Sequence, residues 1–140
     1  MSRRIKIQLD GVSGSGYLHE EAAPTTAARF WAALPIEGTL RHVRWSGDAG
    51  YILASELADE SIPIEHAVSF YPPGSIAFRP EHGEIAFCYG QAQARDHMQP
   101  AGRASHLATL DRNVEALLEA VASTRRQGGK PIRIEREEAK

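Results

Sequence analysis

The chain has 140 residues, of which 42% are hydrophobic and 24% are charged, and its formal net charge is -2. This length and composition predict one globular domain with a full core and exclude an intrinsically disordered chain. The small negative charge and the lack of a clustered basic stripe argue against a nucleic-acid or anionic-membrane partner. The single cysteine, Cys88, excludes an internal disulfide, and with no secretory signal or membrane-length apolar run we expect a cytoplasmic protein.

The first elements are a strand, a glycine-rich turn and a helix. Ile5, Ile7 and Leu9 alternate with polar residues, which is typical of a half-buried strand. Residues 11–16 indicate a flexible hairpin turn, because a phosphate-binding loop would need a helix directly after it. Apolar residues at helical spacing then predict a helix that a threonine caps and Pro35 ends. These apolar residues are Ala27, Phe30, Trp31 and Leu34.

Residues 40–46 alternate between apolar and polar side chains and predict a further strand. Because burial of a tryptophan contributes a large apolar area, we expect Val43 and Trp45 to face the core. His42 and Arg44 then share the opposite face of the strand.

The segment Pro73–Gly90 is predicted to be a β-hairpin on which the rest of the chain packs. Alternation places five apolar side chains on its core face, namely Ile76, Phe78, Ile85, Phe87 and Tyr89. The opposite face carries Ser75, Ala77, Arg79, Glu84, Ala86 and Cys88. This small-residue face is either a shallow floor for a ligand or a surface that another element covers.

Before the hairpin, we expect a turn at residues 47–50, a strand at 51–53, a loop or short helix at 54–61 and a short strand within 63–70. After it, we expect a long loop at 91–102, a strand at 105–110 and a helix that Asp111 caps and that Gly128 and Gly129 end. A closing strand around Ile132 and Ile134 follows. Long loops without structure of their own are often functional. The count of seven or eight short strands and two helices predicts a mainly β fold, a barrel or sandwich whose open ends the helices cover.

Four stretches resemble cyclophilins. The strand RIKIQL and the following segment Pro24–Leu34 resemble the opening strand and first helix of that family, Gly74–Pro80 resembles a central strand, and Gly128–Ile134 resembles its close. The successive motifs F-x-x-x-L-P, R-W-S-G, Y-P-P-G and E-I-x-F-x-Y-G resemble those of small bacterial cyclophilin-like families of unassigned function. The resemblance implies a closed cyclophilin-like β-barrel of about eight strands, capped by two α-helices, over residues 1–140, with 136–140 as a flexible tail.

The resemblance does not extend to the full prolyl isomerase site. A gapless match places Val43 where cyclophilins have an arginine, and a shift by one residue restores Arg44 to that role. Glu84 stands in place of a glutamine and Ala86 in place of a pocket phenylalanine, and no tryptophan follows Trp45. We therefore expect little or no prolyl isomerase activity.

Arg44 and Glu84 are the leading ligand-binding candidates, because a guanidinium offers a planar fork of donors to a carboxylate or carbonyl and an acid can orient it. The alternative is a surface ion pair without function. Further candidates are His42, Glu65, His66, Ser75 and His106. The six histidines show no i, i+2 or i, i+4 pair, so no metal and no cofactor is expected.

Several classes of function stay open. A binding module would hold a small carboxylate- or amide-containing ligand, or a peptide, on the concave barrel face. An enzyme would need a base there, and a weak prolyl isomerase is one form of it. An accessory subunit of an amide-hydrolysing enzyme would need an exposed apolar patch. Self-association into a homo-oligomer also stays open.

Overall fold

The computed structural model describes residues 2–95 and 102–138. The strands of this part of the chain are β1 (Arg4–Leu9), β2 (Val12–Leu18), β3 (Ile36–His42), β4 (Gly47–Leu53), β5 (Ala67–Val68), β6 (Phe70–Tyr71), β7 (Ser75–Arg79), β8 (Glu84–Gln93), β9 (Ala104–Arg112) and β10 (Lys130–Arg136). The helices are α1 (Pro24–Ala33) and α2 (Val114–Gln127), with a 3-10 turn at Ser55–Leu57.

Eight of the strands form a closed antiparallel barrel. Their order is β2-β1-β10-β3-β4-β8-β7-β9, and the pairing of β9 with β2 closes the ring. The short strands β5 and β6 add to β9 and β8 from outside this ring. The predicted mainly β barrel with two helices is therefore confirmed.

Glycines in β2 allow the closing pair of strands to approach. The run from Gly11 to Gly16 is not a flexible turn, because the turn is confined to Asp10 and Gly11 and the remaining residues belong to β2. A Cβ atom at Gly16 would lie 2.3 Å from the carbonyl oxygen of Thr109 in β9. Sequence reasoning took these glycines as signs of flexibility, but they allow close backbone packing.

The barrel interior is filled by aliphatic and aromatic side chains from every part of the sheet. Four of the five predicted core residues of the central hairpin are buried, namely Ile76, Phe78, Ile85 and Phe87, and the fifth, Tyr89, is only partly buried against the same cluster. Helix α2 buries Leu117 and Val121 in the same cluster, and α1 contributes Phe30. The alternation that the hairpin sequence predicts is confirmed on this face.

A second apolar cluster covers the small-residue face of the hairpin. Ala77, Ala86 and Cys88 pack there with Tyr71 from β6, and Ser75 is buried as well. Of the two readings of this face, the covered one is correct. Within the part of the chain that the structure describes, Ser75 and Ala86 are both buried, so the face between them is not an open floor for a ligand.

The strand predicted for residues 40–46 is displaced toward the N-terminus. Strand β3 ends at His42, residues 43–46 make the turn, and residues 47–50 belong to β4. The inward residue of β3 is Leu40, which is fully buried, whereas Trp45 is 50% exposed and Val43 is only partly buried. The predicted burial of Trp45 is therefore wrong, because the chain has left the strand before it reaches this residue.

Both predicted helix caps are corrected. Helix α1 begins at Pro24, so Thr25 and Thr26 lie inside it, and α2 is preceded by Asn113 instead of Asp111. The capping rule identified the right region but not the right residue.

Two predicted loop boundaries also move. Strand β8 extends to Gln93, into the predicted loop 91–102, and residues 96–101 of that loop lie outside the described part of the chain. Strand β10 includes Arg136, and Glu137 accepts a 2.7 Å hydrogen bond from Arg4, so the predicted tail begins too early.

Within the described residues, neither helix has the length and apolar character that crossing a membrane requires.

Candidate functional site

A groove with a volume of about 860 Å³ lies at the C-terminal end of β8. Its lining residues are Trp45, Ser46, Gly47, Phe70, Tyr71, Pro73, Gly90, Gln91, Ala92, Gln93 and Arg95. Two of them, Trp45 and Phe70, are large apolar side chains that are 50% and 71% exposed. Concave sites that combine aromatic side chains with a few polar groups are the usual form of ligand-binding sites.

Strand pairing explains why both exposed aromatic residues lie at this end of β8. Gly47 of β4 pairs with Ala92 on one side, and β6 pairs with the same part of β8 on the other, so that Phe70 lies opposite Gln93. Trp45 lies in the turn that leads into Gly47. The two aromatic residues therefore flank β8 from opposite sides.

Gly47 fixes the turn that presents Trp45. Its φ of +104° lies in a region that L side chains rarely adopt, and a Cβ there would lie 2.4 Å from the carbonyl oxygen of Gln91. The amide of Gln93 donates to the carbonyl oxygen of Ser46 at 2.8 Å, which ties the turn to β8. The exposure of Trp45 thus follows from the backbone conformation of this turn, which Gly47 and the hydrogen bond to β8 fix.

The predicted pair of Arg44 and Glu84 is not brought together. Arg44 is exposed on the turn before Gly47, whereas Glu84 lies opposite Leu53 at the other end of β4. Six residues of strand separate these ends by about 20 Å. The arginine that lines the groove is Arg95, just beyond the end of β8.

Two further candidate side chains are engaged in structural contacts. The Nδ1 of His42 lies 2.8 Å from the carbonyl oxygen of Val43, to which it donates, and its Nε2 lies 2.8 Å from the hydroxyl of Tyr89. The carboxylate of Glu65 accepts hydrogen bonds from the amides of Thr25 and Thr26, at 3.2 and 2.6 Å, and thereby caps α1.

The last two candidates, His66 and His106, converge with His19. The three rings lie 4.5 to 5.0 Å apart between centroids, and one nitrogen of each lies within 4.8 Å of the others. His19 follows β2, His66 precedes β5 and His106 lies in β9. We refer to these three residues as the histidine cluster.

Burial and mutual repulsion lower the basicity of the cluster. Burial lowers the pKa of His106 to about 4, and the neighbouring His19 and His66 act in the same direction. Burial and the proximity of His66 also lower the pKa of His19. Both imidazoles are therefore neutral at neutral pH.

Cys88 is not a candidate nucleophile. Its thiol is buried and lies 3.2 Å from the carbonyl oxygens of Tyr71 and Gly90. Burial raises the pKa of the thiol, which disfavours the reactive thiolate. This agrees with the sequence-based expectation.

Sequence reasoning missed Phe70, Arg95 and His19, and it placed Trp45 in the core. The signals available were weak. Phe70 precedes a Tyr-Pro-Pro run, and Arg95 falls in the segment that was singled out as a long and therefore functional loop. Nothing in the local sequence of His19 indicates that it meets two histidines from distant segments.

A family model described as "Protein of unknown function (DUF3830)" matches residues 5–135. The chain belongs to the DUF3830 family. The match includes the groove and the histidine cluster, and a search of curated proteins finds no match to this DUF3830 chain.

Two solved structures share the fold of this DUF3830 chain. McbB in complex with tryptophan superposes with a TM-score of 0.75 at 18% identity, over 97% of this chain and 45% of McbB. The hypothetical protein AF2241 from Archaeoglobus fulgidus, a solution structure, gives a TM-score of 0.68 at 20% identity, over 97% of this chain and 95% of that protein. The DUF3830 chain thus spans less than half the length of McbB. At these identities the likeness shows the fold, and the cyclophilin resemblance stays a prediction.

Proposed function

We propose that the groove at the end of β8 binds a small molecule, or a short peptide segment, that combines a planar apolar group with a carboxylate or carbonyl. The observation that carries this proposal is the pair of exposed aromatic side chains, Trp45 and Phe70, on the two sides of one groove. Leaving such large apolar surfaces in water forgoes a substantial stabilisation, and exposed apolar patches commonly mark binding sites.

The polar groups of the groove favour an anionic or carbonyl-bearing ligand. Arg95 supplies a cation with a planar fork of donors, and Arg44 is exposed on the adjoining turn. A guanidinium binds carboxylates and carbonyls through directed, charge-assisted hydrogen bonds. The fold neighbour McbB was solved with tryptophan, which has both an aromatic ring and a carboxylate, so aromatic amino acids are suitable first probes.

A second function is favoured by the same exposed aromatic pair. An accessory subunit of an amide-hydrolysing enzyme would need an exposed apolar patch, and Trp45 with Phe70 supplies one. In this case the groove would hold a segment of the partner protein. If the wild type and Leu53→Ala both bind the same partner protein in a pull-down experiment and Phe70→Ala does not, this function is favoured.

The first experiment is a thermal-shift panel of aromatic and proline-containing carboxylates and amides, followed by calorimetric titration of the compounds that raise the unfolding temperature. Phe70→Ala should weaken such a compound by about 1–2 kcal/mol, roughly fivefold to thirtyfold in Kd. Leu53 is the matched control, because it is 62% exposed and lies outside the groove. Equal weakening by Leu53→Ala would contradict the proposal.

The charged part of the ligand is tested with the two arginines. Arg95→Ala should cost about 1.5–3 kcal/mol, roughly tenfold to a hundredfold in Kd, and the loss should disappear for an alcohol analogue, which has neither a carboxylate nor a carbonyl. Arg44→Ala should have a smaller effect, because Arg44 does not line the groove. A larger effect of Arg44 than of Arg95 would restore Arg44 as the main binding residue and contradict the placement proposed here.

A further inference from the structure

We propose that His19, His66 and His106 form a binding site for one divalent transition-metal ion. The sequence offered no support for a metal site, because the histidines lack short ligand spacings and only long-range convergence could create one. The barrel provides that convergence: one nitrogen of each ring lies within 4.8 Å of the others. None of the three residues lines the groove, so the proposal is independent of the ligand proposed there.

Backbone hydrogen bonds hold the three segments together. The amide of His106 donates to the carbonyl oxygen of His66 at 3.0 Å, and the amide of His19 donates to the carbonyl oxygen of Leu107 at 2.8 Å. The ring Nδ1 of His66 lies 3.0 Å from the carbonyl oxygen of His106. The cluster is therefore anchored to β9 by two main-chain hydrogen bonds and by one contact between the His66 ring and the backbone.

The hydrogen bonds of the neutral rings leave one nitrogen of each ring with a free lone pair for a metal ion. A carbonyl oxygen can only accept, so Nδ1 of His66 carries the proton and Nε2 has the free lone pair. The Nε2 of His106 is buried and has no hydrogen-bond partner among the described residues. The Nε2 of His19 lies 2.8 Å from the hydroxyl of Thr109 and can donate to it, which leaves Nδ1 for the metal. Such outer hydrogen bonds orient metal-ligating histidines in known sites.

A bound ion would also explain the unpaired nitrogen of His106. A buried polar atom without a partner is unfavourable, and structures generally satisfy such atoms with protein, water or an ion. A zinc ion with Zn–N distances of about 2.0–2.1 Å needs its nitrogens roughly 3.4 Å apart in tetrahedral geometry. His66 is exposed, so its side chain has room to turn its ring toward the other two.

The ligand set indicates the class of metal. Imidazoles suit Zn²⁺, Co²⁺, Ni²⁺ and Cu²⁺, whereas Mg²⁺ and Ca²⁺ require oxygen ligands. Glu65 lies next to His66 in sequence, but its carboxylate caps α1. Three histidines leave a fourth tetrahedral position for water or another small ligand, as in open zinc sites.

The test uses the full chain without a polyhistidine tag, stripped of metal by chelator and titrated with Zn²⁺ and with Co²⁺. We expect one Zn²⁺ per chain, and a strong visible Co²⁺ spectrum of the kind that four-coordinate sites give. His66→Ala should weaken Zn²⁺ binding by at least tenfold, and because His66 is exposed this variant should keep its fold. His82→Ala is the matched control, since His82 is also exposed and lies outside the cluster.

Three outcomes would overturn the proposal. The first is a wild-type chain that binds no stoichiometric Zn²⁺ at micromolar concentrations. The second is His66→Ala with the affinity of the wild type while its circular dichroism spectrum is unchanged. The third is an equal loss of affinity in His66→Ala and His82→Ala, because this would show diffuse surface binding.

Discussion

At the scale of single residues, Gly16 has a steric role in closing the barrel. Any Cβ at this position would lie 2.3 Å from the carbonyl oxygen of Thr109 and 2.9 Å from the Cα of Leu110. Both obstacles are backbone atoms of β9, so they cannot move aside by a change of rotamer. The side chain of residue 16 is thus restricted to a hydrogen atom as long as β2 pairs with β9.

Gly16→Ala should lower the free energy of unfolding by about 1–3 kcal/mol, because β2 must move away from β9 to relieve the clash. Gly38→Ala is the matched control, since Gly38 also lies in a strand and its nearest neighbour, Cγ2 of Ile52, would be 3.9 Å from the new Cβ. That control should change stability by less than about 0.5 kcal/mol. Urea denaturation of both variants measures the difference, and similar midpoints would show that closure does not depend on Gly16.

Residue identity alone predicts burial well only when the secondary structure is right. Phe78 and Phe87 were placed correctly because each lies inside a strand with strict alternation. Trp45 was placed wrongly because the chain leaves β3 at His42, and a turn does not alternate. Because tryptophan is large and apolar, Trp45 was assigned to the core. An exposed Trp45 is the strongest indication of the groove, and this assignment hid it.

At the scale of elements, α1 is capped by a residue that is distant in sequence. The residue before the helix is Ala23, whose side chain cannot cap, and the carboxylate of Glu65 takes this role. Glu65 also accepts a 2.8 Å hydrogen bond from the hydroxyl of Thr26. Partial burial raises the pKa of Glu65, but these hydrogen bonds outweigh it, so the pKa lies below its ordinary value.

Glu65→Gln should lower the free energy of unfolding by about 0.5–2 kcal/mol at pH 7, the usual contribution of a helix cap. A carboxyl whose pKa is lower in the folded state stabilises above its unfolded pKa, about 4.3, and this stabilisation is lost as the pH falls through the folded pKa. The difference between wild type and variant should therefore shrink at pH 3. Glu60→Gln, at an exposed position, should show no effect at either pH. An undiminished difference for Glu65→Gln at pH 3 would contradict the charged cap.

Elements were predictable from sequence where local patterns decide them. The helical spacing of α2 and the hairpin of β7 and β8 follow from side-chain periodicity. The cap of α1 does not, because Glu65 lies about 40 residues from the helix in sequence and capping rules consider only neighbouring residues. The one short strand predicted within residues 63–70 is in fact two, β5 and β6, which were not separated because strands of two residues give no periodicity.

At the scale of the whole molecule, the segment of residues 65–71 connects three features. Glu65 caps α1, His66 belongs to the histidine cluster, and Phe70 lines the groove. The segment packs outside the barrel, where Tyr71 covers the small-residue face of the hairpin. This covering explains why the small-residue face is the covered surface, and not the ligand floor, of the two alternatives that alternation left open. The predicted lack of prolyl isomerase activity stays a prediction.

Strand alternation and turns predicted a barrel or a sandwich, and only the cyclophilin resemblance implied the closed barrel of about eight strands that the structure shows. The groove and the histidine cluster were not predictable, since each combines residues from several segments that only the closed barrel brings together. Arg44 and Glu84 illustrate the difficulty. Both were assigned to one face, but the register of β4 against β8 places them near opposite strand ends.

The central claim is that the groove beside Trp45 is the ligand site, and a ¹⁵N-resolved NMR titration tests it most directly. The chain has two tryptophans, Trp31 and Trp45, so two indole N–H signals are expected, and Trp31→Phe assigns them. Addition of the compound that raises the unfolding temperature most should shift the Trp45 indole and the amides of Gly90–Gln93, and leave the Trp31 indole in place. Shifts centred instead on Gly38 and Ile132, which line a depression of about 480 Å³ elsewhere on the barrel, would contradict the account.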